Sequence, residues 1–148
     1  MKYETYSEVH FSRDLNVVNF ISKGKNGDIP KRIAFTTTEL INVYNLELCN
    51  INEDGEPDDS KMSDNGDRNK ILATVYYAVE AYTKMYPERT IIFSGNTKGK
   101  NRLYRMAIGV NLEELSNKFE ILVLVEEELL VFSRNMDVDA FVIKRKIT

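Results

Sequence analysis

The sequence has one cysteine, one histidine and three prolines in 148 residues. A single cysteine, Cys49, excludes an intramolecular disulfide and suits a reducing compartment. One cysteine and one histidine also exclude a structural zinc site of the usual Cys/His kind. A Ser-His-Asp arrangement would depend on His10 alone, and His10 sits in a segment that reads as an N-terminal strand. Cys49 lies in an apolar strand and reads as a small core residue. No apolar run approaches the roughly 20 residues needed to cross a bilayer. The longest, 119–132, is interrupted by Glu126, Glu127 and Glu128. The opening MKYETYSEVHF has no apolar centre of the signal-peptide kind. A soluble, cytoplasmic protein with no membrane role is therefore expected. The formal charge is only −3, so any nucleic-acid role must rest on local and not overall charge.

What is present describes a globular chain. Hydrophobic residues make up 43 % and charged residues 29 %, which is ordinary for a folded domain. The length fits a single domain over 1–148. A chain of this size buries about two-thirds of its unfolded surface and needs no staple. Strands are expected at 3–11, at 17–22 and 33–38 around a turn containing Asn26-Gly27, and at 42–51 as one strand or a strand pair. Residues 52–67 form an acidic loop, NEDGEPDDSKMSDNGD. A helix follows, with Ile71, Leu72, Val75, Ala78, Val79, Tyr82, Met85 and Tyr86 on one apolar face. Asp64 or Asp67 is expected to cap its start, and Pro87 to end it. Of its tyrosines, Tyr77 points off the apolar face. Next come a strand at 90–94, a second helix over about 100–117, a strand–bend–strand over 119–132, and a last strand at 140–145. Strands first, then helix, strand, helix and strands, is not the alternation of a doubly wound sheet. The expected class is α+β, an antiparallel or mixed sheet with two main helices packed on one face.

The segment from Ile91 to Arg105 carries the clearest chemical signal. It reads as strand, glycine-bearing loop and helix, with Lys98, Lys100, Arg102 and Arg105 in the first helical turns. A helix start is the positive end of its dipole, so cations there are disfavoured. Their presence points to a negative partner. Free N–H groups at such a start bind anions, so Thr97, Lys98, Lys100, Arg102 and Arg105 are the candidate partner-binding residues. The alternative is solvated lysines on a turn, pairing with the acidic loop. The loop misses the nucleotide pattern G-x-x-x-x-G-K-[ST] by one residue, and Asn101 stands where a hydroxyl should meet magnesium. Arg102, Arg105 and Gly109 share one stripe, which reads as a flat basic surface or as a kink.

The acidic loop opens like a calcium loop at Asn50, Asn52, Asp54 and Gly55. Its twelfth position is Lys61, where a bidentate glutamate is required. Residues 52–60 are expected to be an exposed, mobile hairpin loop without calcium. Asp58, Asp59, Asp64 and Asp67 are the acidic set to weigh for magnesium. The run from Pro57 to Lys61 resembles a restriction-nuclease motif only superficially. No metal ligands, catalytic residues or cofactor are assigned.

Four segments carry a resemblance: NVYNL (42–46), SDNGDRNKILATV (63–75), SGNTKGKNRLYRMAI (94–108) and AFVIKRK (140–146). Together they are similar to an uncharacterised family, a domain of unknown function from small bacterial proteins, mainly of the Bacteroidota. Where that family often has two arginines, this chain has Lys100 and Arg102, and the lysine loses the bidentate fork. The resemblance implies a shape, and for some members a place in two-gene modules of the toxin–antitoxin kind. The expected function is a non-catalytic binding or regulatory protein. Its basic strand–loop–helix patch would face nucleic acid or an acidic protein surface. The alternative is an enzyme acting on a phosphate-bearing substrate, with the same cations stabilising charge.

Overall fold

A computed structural model describes residues 3–58, 65–95 and 98–147. The strands are β1 (His10–Phe11), β2 (Val17–Gly24), β3 (Gly27–Thr37), β4 (Val43–Asn50), β5 (Thr90–Phe93), β6 (Phe119–Val125), β7 (Glu128–Val131) and β8 (Ala140–Arg145). The helices are α1 (Arg68–Met85), α2 (Lys98–Val110) and α3 (Leu112–Lys118). The eight strands form one sheet in the order β1-β2-β3-β4-β5-β8-β6-β7. β4 and β5 pair in parallel, while β2–β3, β5–β8 and β6–β8 are antiparallel. The class is thus α+β with a mixed sheet. Among the described residues no helix is long and apolar enough to cross a membrane.

The chain resolves into two compact units, one of residues 2–36 and 46–82, the other of 37–45 and 83–148. In the first, β2 alternates between buried and exposed positions, the period-2 pattern of a half-covered strand. Val18, Phe20, Ile33 and Phe35 are buried, as are Ala78, Val79 and Tyr82 of α1. Phe35 stacks on Tyr82 at 3.9 Å between ring centres. Ala73 and Thr74 join the buried stripe of α1. The last residues of α1, from Thr83 on, belong to the other unit; of these, Thr83 is buried and Met85 exposed. Tyr77 is exposed as its position predicts. Only His10 and Phe11 of the expected 3–11 strand are extended and paired. Ahead of them, the Tyr6 N–H donates to Thr74 Oγ1 at 3.1 Å, which ties this segment to α1 instead of to a strand.

The Asp67 carboxylate does not cap α1. It accepts from the Tyr6 hydroxyl and, at 2.6 Å, from Ser22 Oγ. Asp64, Asp59 and Lys61 lie outside the described residues. Residues 52–57 of the acidic loop are exposed, and they form a hydrogen-bonded turn, whereas Asn65 near its end is buried. Asn52 Oδ1 accepts from the N–H groups of Asp54 and Glu56 at 2.9 and 3.0 Å.

In the second unit, Ile91, Phe119, Ile121, Val123 and Phe141 are buried from the strands, and Ala107, Ile108 and Leu115 from the helices. The expected second helix is in fact two helices, broken at Asn111. Its buried side chain donates to Ala107 O at 2.8 Å. Its own N–H is shared between Ala107 O and Ile108 O at 3.3 and 3.2 Å. One residue thus satisfies carbonyls that the next turn of α2 would have used.

β6 and β7 are joined by Glu126 and Glu127, with φ of 49° and 69°. Both are left-handed, as a two-residue I′ turn requires, although Asn-Gly is the common pair there.

A mixed-charge cleft at the start of α2

β5 delivers the chain to the start of α2, which begins at Lys98, two residues ahead of the expected start. Loop and helix are held together by Asn101. Its Oδ1 accepts from the Gly95 N–H at 2.6 Å, and its Nδ2 donates to Val138 O at 3.3 Å. Gly95 lies so close to α2 that a Cβ on it would be 2.3 Å from Lys100 Cβ. Only glycine tolerates that approach.

Arg105, one turn further on, donates through Nη1 to Met136 O at 2.8 Å and to Asp137 Oδ1 at 3.1 Å. The segment before β8 is thereby fastened to α2 at Asn101 and Arg105. Between them lies a cleft of about 440 Å³, lined by Lys98, Asn101, Arg102, Arg105, Glu126 and the 136–139 segment.

The candidate residues divide in this setting. Lys98 and Arg102 are exposed, line the cleft and have no side-chain partner among the described residues. Lys100 is exposed but is not part of the lining. Arg105 lines the cleft with its charge already engaged. Thr97 lies outside the described residues.

The flat basic stripe through Gly109 is not open surface. Gly109 is buried, and Arg134 lies over it, donating from Nε to Gly109 O at 3.0 Å. The cleft is not purely basic either. Asp139 Oδ2 accepts from the Glu126 N–H at 2.9 Å, so Glu126 and Asp139 meet at the wall that also carries Asp137. Asn101, Glu126 and the 136–139 segment were not anticipated. A polar asparagine inside an amphipathic helix, where it competes with the backbone, was the one available signal.

Removing the Arg102 side chain should change stability by less than about 0.5 kcal/mol, as for an ordinary surface residue. Arg105→Ala should cost about 1–2 kcal/mol, because Met136 O loses a charged donor. Its pair with fully exposed Asp137 adds little. Urea titrations of the two variants give the comparison.

A second polar cluster lies in the other unit and is architectural. Asn65 is buried and donates from Nδ2 to Ser22 Oγ at 3.1 Å and to Gly27 O at 2.9 Å. Its Oδ1 accepts from the Asn26 N–H at 2.7 Å. Burial raises the pKa of the Tyr6 hydroxyl, and its bond to Asp67 raises it further. On α2, burial alone raises that of Tyr104.

A profile for a family of unknown function, DUF6934, matches residues 2–146. The chain belongs to this family. Searches among curated proteins and among solved structures find no match. The expected kinship to an uncharacterised family holds, and the motifs quoted for it have distinct settings in this DUF6934 chain. NVYNL enters β4. The described part of SDNGDRNKILATV supplies Asn65, Asp67 and the start of α1. The described part of SGNTKGKNRLYRMAI supplies Gly95 and the α2 residues of the cleft.

Proposed function

We propose that this protein is a non-catalytic binding or regulatory protein whose α2 cleft receives an acidic group from a partner protein. The observation that carries the reading is the pair Lys98 and Arg102. Both are exposed; Lys98 opens a helix with no acidic residue in its first turn, and Arg102 stands one turn further on. A cation in the first turn, as Lys98 is, costs about 0.3–1 kcal/mol, and a bound carboxylate or phosphate offsets that cost and pairs with Arg102 as well. Glu126 and Asp139 on the opposite wall favour a compact anionic group flanked by donors over an extended polyanion. A nucleic-acid strand would carry further phosphates past those carboxylates, where like charges repel. A protein surface of mixed charge suits both walls.

An enzyme acting on a phosphate-bearing substrate has less support. Asp137 is held by Arg105, and Asp139 by the Glu126 N–H. Within the same reading, the protein is a bacterial, cytoplasmic half of a two-gene module of the toxin–antitoxin kind.

The test starts with capture of the bound partner at low salt and its identification. Affinity for that partner is then measured over a salt series for wild type and for Lys98→Ala/Arg102→Ala. The double variant should bind about tenfold or more weaker, with a flatter salt dependence. Equal affinities remove the proposal. A partner destroyed by nuclease would replace the protein surface with nucleic acid.

A further inference from the structure

We propose that two copies of this chain associate through β7, antiparallel strand beside strand, with a twofold axis at Leu130. β7 ends the sheet and pairs with β6 alone. The register sets which of its backbone groups are used. The Phe132 N–H donates to Ile121 O at 3.1 Å, and Val123 is opposite Leu130. In an antiparallel ladder these alternate residues turn inward, so the N–H and C=O groups of Leu129 and Val131 turn outward.

The side chains of this edge are also uncovered. Leu129 is 55 % exposed, Leu130 38 % and Val131 75 %. Soluble proteins usually blunt such an edge with a short strand, charge, proline or a bulge; β7 is short and begins with Glu128, but its run 129–131 carries no charge, proline or bulge. Leu129 and Val131 share a sheet face with Leu124 and Leu122 on β6 and with Val142 on β8. An apolar stripe therefore runs to the very edge of the sheet and stops.

Charge identifies the occupant. Glu126, Glu127 and Glu128 precede the apolar run, and Arg134 follows it. All four are exposed or half-buried. The Arg134 Nε is fixed on Gly109 O, while its outer nitrogens have no partner among the described residues. An antiparallel second copy brings the glutamates of each chain beside Arg134 of the other. A parallel copy would set glutamate against glutamate, which is unfavourable.

Pairing the outward groups opposes Leu129 to Val131 of the second copy and Leu130 to its own equivalent. Glu126 and Arg134 lie in the turns at either end of β7, so the antiparallel pair brings the turn of one copy to the Arg134 end of the other without extending the ladder to them. The two left-handed glutamates of the β6–β7 turn are poor choices for the turn itself, and this arrangement gives them a role. So short a strand buries less than a standard interface, so the association is weak and depends on concentration.

The experiment is sedimentation velocity over a wide concentration range, with circular dichroism as the check on folding. Wild type should pass from monomer to dimer. Val131→Lys and Arg134→Glu should each weaken association by about tenfold or more. Adding Glu126→Arg to Arg134→Glu should restore it. In a Cys49→Ser background, Leu130→Cys should form a disulfide-linked dimer on oxidation, because a self-facing pair of this ladder has closely spaced Cα atoms. Val131 is largely exposed, so its lysine variant folds and keeps the test decisive even where Arg134→Glu disturbs Gly109. A monomer at every concentration, or a dimer indifferent to both single substitutions, overturns the proposal.

Discussion

Gly24→Ala is expected to lower stability by about 3 kcal/mol or more in a urea titration, the upper range for forcing atoms into a filled site. A Cβ at this position would lie 1.9 Å from Asn65 O and 2.9 Å from Asn65 Cγ. The obstacle is backbone held in place and not the end of a flexible side chain. Asn65 O accepts from the Lys25 N–H at 3.4 Å, and the Asn65 side chain bridges Ser22, Asn26 and Gly27. Moving Asn65 aside to admit a methyl therefore disrupts the whole clamp on the β2–β3 turn. Asn65→Ala tests the same clamp from the other side. It removes the bonds to Gly27 O and the Asn26 N–H, which belong to an exposed turn, at about 0.5–1.5 kcal/mol for each bond lost. Gly55→Ala is the control. Gly55 has φ of +79° with nothing within 4 Å of a new Cβ, so it should lose only the roughly 1–2 kcal/mol of a left-handed alanine. A Gly24 variant no less stable than the Gly55 variant would contradict the close approach.

The contrast between those two glycines marks where the sequence could be read and where it could not. Gly55 sits in a turn signal of its own, Asp54-Gly55, and local chemistry is enough to explain it. Gly24 is required by Asn65, forty-one positions away in the chain, and nothing next to Gly24 indicates that. The same division runs through the fold. β2, β3 and α1 follow from alternation, helical spacing and Pro87. The break at Asn111 does not, because the apolar spacing of α2 continues into α3 without a gap. At the candidate site, Lys98 and Arg102 were legible because cations at a helix start conflict with the dipole. The engagement of Arg105 was not, since its acceptors Met136 and Asp137 come some thirty residues later. Asp67 looked like a helix cap by position. Tyr6 and Ser22, both distant in sequence, claim its carboxylate instead.

Phe141→Ala should cost about 3–5 kcal/mol, the range for a large aromatic side chain removed from a packed core. Phe141 is fully buried. Its ring centre lies 5.2 Å from Phe93, 6.3 Å from Tyr104 and 6.5 Å from Phe132. The first of these neighbours ends β5, the second is on α2, and the third follows β7. Removing the ring therefore loosens three elements that meet at the α2 cleft. Tyr104 packs α2 against this cluster and so sets the direction of Arg102, two residues before it, and of Lys98, between one and two turns earlier in the helix. Partner binding should fall with stability in Phe141→Ala, while Lys98→Ala/Arg102→Ala should lose binding alone. Phe141→Leu refills most of the volume and should recover a large part of both. Urea titration and affinity measured on the same three variants separate the two effects. A Phe141→Ala protein that unfolds no more easily than wild type would show that the aromatic cluster contributes little to holding α2. Unchanged affinity in a clearly destabilised variant would show that Lys98 and Arg102 do not depend on the ring beneath them.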